Sequence, residues 1–216
     1  RVELEHAYEA PVVFMQLTSY NGSDPCHLRV RNVRADAFEF QIEEWDHLDG
    51  AHTEEEIAYL VLEAGVHRLP GGFPIEVGTA TVTDAWTGID LPDGFGSDPV
   101  LITRCQTRNG GQAVVTRNRR VSDGNAEIRL QEEEGRDGHH VAETVGYLTA
   151  PRTLARYAAA RVAADHTLTR FDLRTEGASE SVVLASLQTF NGSDTADVRL
   201  QGVSRDGSSL FVEEEA

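Results

Sequence analysis

Apolar and polar residues alternate with a period of two along much of the chain, which predicts strands rather than helices. Phe38, Phe40 and Ile42 alternate with Glu39, Gln41 and Glu43, and further along Ala126, Ile128 and Leu130 alternate with Glu127, Arg129 and Gln131. A strand of this pattern has one dry face and one wet face. Residues 12–17 are instead apolar at both parities, as expected of a strand covered on both sides in a sandwich. The dipeptide Asn21-Gly22, which recurs as Asn109-Gly110 and Asn191-Gly192, predicts a tight hairpin turn at positive φ after this strand. Residues 57–61 and 145–148 read as closing strands. Residues 2–6, 79–83 and 167–173 are a further strand candidate before each unit.

The same order of features occurs three times. A shift of about 88 positions aligns residues 11–65 with 99–153 without a gap, with roughly a quarter of positions identical. Matched pairs include Arg29 and Arg117, Glu39 and Glu127, His52 and His140, Glu55 and Glu143, Tyr59 and Tyr147. A third copy starts near Ser181 and reaches Ala216 inside an acidic run, without an equivalent of residues 57–61. The expected organisation is therefore all-β, with tandem antiparallel β-sandwich repeats over 1–68, 75–151 and 165–216, the third incomplete. An open sandwich edge rarely stays bare, so the closing strand of the third copy is expected from beyond residue 216, from another chain or from an adjacent copy. The Gly- and Pro-rich residues 69–74 read as a linker. Residues 152–164 read as a helix by composition but not by their place in the repeat, and both readings stay open.

Composition narrows the choice of partners. The net charge is −17, and all 19 basic side chains are Arg. Such a surface repels nucleic acid and anionic membranes. It also has the acidic, Lys-free style of proteins from salt-loving organisms, although a high-GC genome favours Arg as well. No apolar run is long enough to insert into a bilayer, and no signal peptide is visible. Arg1 reads as a processing product or a cut point in a longer polypeptide. Cys26 and Cys105 fall at non-equivalent repeat positions and read as small buried side chains rather than a disulfide framework.

Pro11-Val12-Val13, Leu28-Arg29-Val30, Val33, Phe38, Ile42-Glu43-Glu44-Trp45 and Ile57-Ala58-Tyr59 carry a resemblance to the H-type lectin domain, the family of snail agglutinins and of the discoidin lectin domain. The likeness covers about 55 residues of each full copy and lies more in spacing than in identity. It implies a six-stranded antiparallel β-sandwich, assembly as trimers, and galactose or N-acetylgalactosamine bound near the subunit interfaces. Carried over by position, the family's sugar-contacting Arg falls on Arg29, with Arg117 and Arg199 in the other copies. Its Trp-His pair falls on Trp45-Asp46, with His47 next along. The aromatic position becomes Glu133 and Glu215 in the other copies, which cannot stack on a sugar ring. The implied carbohydrate-binding set is Arg29, Trp45, Asp46, His47 and Arg117.

Each of these features also has a plainer reading. A repeated strand Arg can pair with the neighbouring acidic strand, and Trp45, taken as exposed at a strand end, suits packing as well as stacking. The clusters Glu43-Glu44, Glu132-Glu133-Glu134 and Glu213-Glu214-Glu215 admit calcium, yet match no dedicated calcium loop and read better as a solvated acidic face. His52 with Glu55, and His140 with Glu143, could share a metal only if they shared a face. In a strand, positions i and i+3 do not, so a hydrogen-bonded structural His is the better reading. Asn21 and Asn191 also head N-glycosylation sequons, whereas Asn109 does not. No nucleophile elbow, phosphate loop or zinc-helix motif occurs, so no enzyme is expected. The leading expectation is a cell-surface or virion module that binds glycans and assembles as a homo-oligomer, trimer or fibre. The alternative is a structural repeat of an extracellular fibre, filament or tail appendage that binds no sugar. Nucleic acid, membrane insertion and a resident cofactor are not expected, calcium apart.

Overall fold

The computed structural model describes residues 1–69, 72–154, 158–172, 182–204 and 207–215. Every regular element among them is a β-strand. In the first copy β1 (Val2–Glu3), β4 (Ala37–Glu44) and β3 (Cys26–Arg31) form one antiparallel sheet. The second sheet joins β2 (Pro11–Leu17) to β5 (Ile57–Glu63). Val13, Met15, Leu17, Leu28, Val30, Phe38 and Val61 fill the space between these sheets, with Phe40 and Ile42 at its margin. The alternating pattern of β4 thus does what it predicts.

The second copy follows the same plan with more strands. β6 (Gly65–Leu69), β7 (Phe73–Val82), β12 (Glu143–Ala150) and β9 (Val100–Cys105) make one sheet. β10 (Val114–Ser122), β11 (Asn125–Glu132) and β8 (Thr87–Asp90) make the other. Ala126, Ile128 and Leu130 point into its core against Leu101, Cys105 and Val145. After the short ladder of β13 (Thr153–Leu154) and β14 (Ala158–Ala159), the third copy keeps β15 (Thr169–Phe171), β17 (Gly207–Glu214) and β16 (Ala196–Ser204) over a small core of Val183, Val198, Leu200 and Leu210.

Why residues 12–17 are apolar at both parities becomes clear from packing. Val13 and Met15 enter their own sandwich, while Val12 and Phe14 enter a second cluster with Ile75, Val77, Val100 and Ile102 of the second copy. Burying Phe14 contributes about 2–3 kcal/mol to the contact between copies. Each copy touches both others. Gln106 brackets the β2 edge by accepting from Val13 N at 2.8 Å and donating to Val13 O at 2.8 Å. Gln188 does the same to Leu101, accepting at 2.8 Å and donating at 2.6 Å. Gln16 closes the circle by donating to Val198 O at 3.0 Å. The three copies form a ring within one chain, with Arg104 near its middle donating to Met15 O, Gln16 Oε1 and Ala185 O.

Several expectations change. Of the stretch 69–74, Leu69 ends β6 and Phe73 and Pro74 begin β7, paired with it rather than lying in a linker, residues 70 and 71 are outside the described set, and residues 65–68 pair into the second copy's sheet. Residues 152–154 and 158–164 hold no helix: the chain there forms the β13–β14 ladder and then a run without regular structure. The leading strands are Val2–Glu3, Thr87–Asp90 and Thr169–Phe171, and residues 79–83 fall mostly inside β7 instead. Leu173 lies outside the described residues. Cys26 and Cys105 are buried and free.

Asn-Gly closes no hairpin, since β2 pairs with β5 and β3 with β4. One left-handed position recurs in all three copies, at Asn32 (φ 50), Arg120 (φ 51) and Gly202 (φ 67), where the third strand of each unit turns toward the fourth. Asn and Gly tolerate this region, whereas Arg is strained there. Arg120 is largely exposed, so its ion pair to Glu127 is worth little. Arg120→Asn is expected to raise stability by about 0.5–1 kcal/mol, seen as a higher urea midpoint with an unchanged slope.

Candidate functional site

The most highly charged buried places in the molecule are the joints between copies. In the joint between the first and second copies, Arg29 leaves β3 and donates through Nη2 to Glu143 Oε1 at 3.1 Å. Glu143 begins β12 and is held from its own copy as well. It accepts from Thr107 Oγ1 at 2.6 Å, from Asn109 N at 2.8 Å and from Gly110 N at 3.0 Å. His140 Nε2 lies 3.1 Å from the same carboxylate, and its Nδ1 lies 2.8 Å from Glu132 Oε1. Carboxylate, imidazole, carboxylate and guanidinium thus run in one buried line from Glu132 to Arg29.

The joint between the first and third copies repeats the line. Glu44 stands 3.0 Å from His52 Nδ1, and His52 Nε2 stands 3.2 Å from Glu55. Glu55 accepts from Ser19 Oγ, from Asn21 N at 2.9 Å and from Gly22 N at 3.2 Å. Arg199 of the third copy donates to it at 3.2 Å and to Glu213 at 2.9 Å. These contacts explain the Asn-Gly dipeptides. Their backbone N–H groups cradle the carboxylate, and the glycine makes room for the imidazole. A Cβ on Gly22 would lie 2.9 Å from the His52 ring, and one on Gly110 would lie 2.5 Å from the His140 ring.

Electrostatics follow from this geometry. Burial alone would raise the Glu143 pKa, but hydrogen bonds from His140, Gly110, Thr107 and Asn109 outweigh it and lower the value to about 2. Glu55 is lowered by the same kinds of donor against its own desolvation. Desolvation pulls His140 down, yet hydrogen bonds to Glu143 and Glu132 carry it above its ordinary value.

The residues implied by the lectin resemblance are placed as follows. Arg29 has no exposed surface, Arg117 is 3% exposed and Arg199 is 1% exposed. Arg29 pairs across the strands with Glu43 at 3.6 Å, as the plainer reading expects, and also with the next copy. Trp45 is 3% exposed, not surface-lying, because it packs on the His27 ring, with centroids 4.8 Å apart, and on Ala113 and Val115 of the second copy. Asp46 and His47 remain partly open. Asp46 pairs with Arg136 at 2.9 Å, and His47 stands 3.5 Å from Glu133. The structure therefore groups Trp45, Asp46 and His47 along the first joint but sends Arg29 and Trp45 inward.

The acidic clusters are solvated only in part, at Glu134 and Glu214. Glu43, Glu44, Glu132, Glu133 and Glu215 are all buried, and each meets a donor, such as His27, Arg29 and Arg108 around Glu43. No group of three His, Cys, Asp or Glu side chains among the described residues is arranged to hold a metal ion. His52 and Glu55 lie in a loop before β5, so the strand argument that kept them apart does not apply, although the structural role expected of His52 stands. Sequence reasoning named Glu55 and Glu143 only as possible metal partners of a histidine, and missed both their place at the joints and the Ser19 and Thr107 donors. The signal was there, because a Glu follows each Asn-Gly of the two full copies at the same distance.

Glu143 is ionised well below the 4.5 of a free carboxyl, so it stabilises the fold above that pH, and the contribution is lost as pH falls from about 4.5 toward 2. His140, raised when folded, contributes below its ordinary value and loses that contribution as pH rises through the folded one. Glu143→Gln is expected to lower the melting temperature at pH 7, because it removes the nearer of the two carboxylates beside the buried Arg29, and to flatten the fall of melting temperature between pH 5 and 2. Thermal melts across that pH range check both.

No family model matches this chain, and no solved structure matches it. The chain is similar to halomucin of Haloquadratum walsbyi (strain DSM 16790 / HBSQ001), 33% identical over 160 residues that cover 68% of this chain. The match spans 2% of the length of halomucin, so what is similar is a short piece of a much longer protein.

Proposed function

We propose that the chain is a non-enzymatic structural module of an extracellular or cell-surface protein of a salt-loving organism, with three sandwich repeats joined into one rigid ring. The observation that carries this reading is the use of the repeated Arg. Arg29 and Arg199 are enclosed at the joints and hold the carboxylate of another copy. The same side chains cannot present donors to a glycan in solution. The name halomucin belongs to the relative and supports an extracellular setting, as does the acidic, Lys-free composition.

A carbohydrate-binding reading would run through Asp46 and His47, the partly open members of the implied set. A glycan array of the intact chain at high salt separates the two readings. No signal above background is expected. A signal that disappears on Asp46→Ala plus His47→Ala would overturn the structural reading. The charge yields a further expected outcome. With a net charge of −17, like-charge repulsion opposes the compact state until salt screens it. The melting temperature should rise steadily as NaCl goes from about 0.1 M to about 1 M, over which the screening length falls from about 10 Å to about 3 Å.

A further inference from the structure

The ring has three joints, and two of them are built from the same parts. Position by position, the third joint offers Arg117 from the second copy, with Thr189, Asn191 N and Gly192 N from the third. These correspond to Arg29 with Thr107, Asn109 and Gly110, and to Arg199 with Ser19, Asn21 and Gly22. The third set is assembled, since Arg117 donates to Asp194 O of the third copy at 2.8 Å and its guanidinium lies 4.6 Å over the Phe190 ring. Yet Arg117, though 3% exposed, forms no salt bridge among the described residues, and Asp197, Asp194 and Glu214 act on it only from beyond ion-pair distance. Its cross-strand neighbour is the neutral Gln131, where Arg29 has Glu43 and Arg199 has Glu213. Desolvation leaves its pKa pulled down to about 10.

Two independent observations at this joint agree. A Cβ on Gly192 would meet nothing within 4 Å, whereas its counterparts Gly22 and Gly110 are each closed by a histidine ring. Residues 182–190 stand where β2 and β9 stand in the other copies but join no ladder, whereas β2 pairs with β5 and β9 with β12. One shape of occupant satisfies all three features. It has a histidine, a glutamate three residues on and a strand running directly from that glutamate, as in His52, Glu55 and β5 or His140, Glu143 and β12.

We propose that the third joint is a binding site for a further closing segment of this repeat, of the pattern His-x-x-Glu followed by an apolar strand. Its carboxylate is held by Arg117, Thr189 and the N–H groups of Asn191 and Gly192, its imidazole packs over Gly192, and its strand pairs with residues 182–187. The occupant is repeat polypeptide other than the two closing segments already engaged within the chain. The proposal depends only on the geometry of the two completed joints, not on whether any surface binds sugar.

A synthetic peptide with the sequence of residues 137–150 tests this against the full chain by titration calorimetry and light scattering. One peptide is expected to bind per chain, and the peptide carrying Gln in place of Glu143 should bind at least about tenfold more weakly, the worth of one buried charge-assisted hydrogen bond. Arg117→Met should weaken binding similarly. Because that variant changes a buried side chain of the free chain, Gly192→Leu, where a Cβ meets nothing within 4 Å, provides a second arm. It should leave the melting temperature of the free chain almost unchanged and abolish peptide binding. Equal binding of the Glu and Gln peptides, no binding at all, or unimpaired binding to Gly192→Leu would overturn the proposal. So would a chain that is already dimeric and takes up no peptide, since a second copy would then cover the joint.

Discussion

A carboxylate that cannot be solvated and is completed only by a neighbouring repeat is the constraint on which the ring depends. Glu143 and Glu55 each gather donors from the loop before them in space, then take a guanidinium from a different copy. Removing one partner from such a buried group strands the other, at a cost of about 3–5 kcal/mol. The geometry therefore favours a particular arrangement of copies as well as adding attraction between them. Apolar contact supplies adhesion, and the ion pair selects which faces meet.

The glutamine brackets reinforce that selection. The inner edges of β2 and β9 would otherwise expose unpaired backbone groups, and Gln106 and Gln188 satisfy both the donor and the acceptor at one residue of each edge. A side-chain amide imitates one rung of a sheet and stops it there. The ring thereby closes without merging its sandwiches into one continuous sheet.

Much of the sandwich was legible in the chain because period-two alternation depends only on which face is dry. The two-sided burial of Val12 and Phe14 was legible for the same reason. What misled was everything decided outside the local stretch, whether in the same copy or in a neighbouring one. Trp45 follows two glutamates and reads as exposed, but Ala113 and Val115 from the second copy cover it. The glutamate runs read as solvated because alternation does not show the His and Arg side chains that close over them, some from a loop eight residues on and some from another copy. Asn-Gly reads as a turn from local preference, whereas its glycine is required by a histidine 30 residues further on, at His52 or His140. A repeat seen in isolation shows its core and hides its interfaces.

The contact between Arg199 and Glu55 joins residues 144 positions apart. During synthesis the first sandwich can gather its own core early, but its Glu55 must wait, cradled by Ser19, Asn21 and Gly22, until the third copy emerges. Closure is thus a late and slow event, because chain entropy has to be surrendered before such a distant contact repays it. Once closed, the ring resists being pulled apart one bead at a time, since opening any sandwich breaks a joint with its neighbour. A polymer of such rings would lengthen under tension in large steps, each the loss of a whole ring.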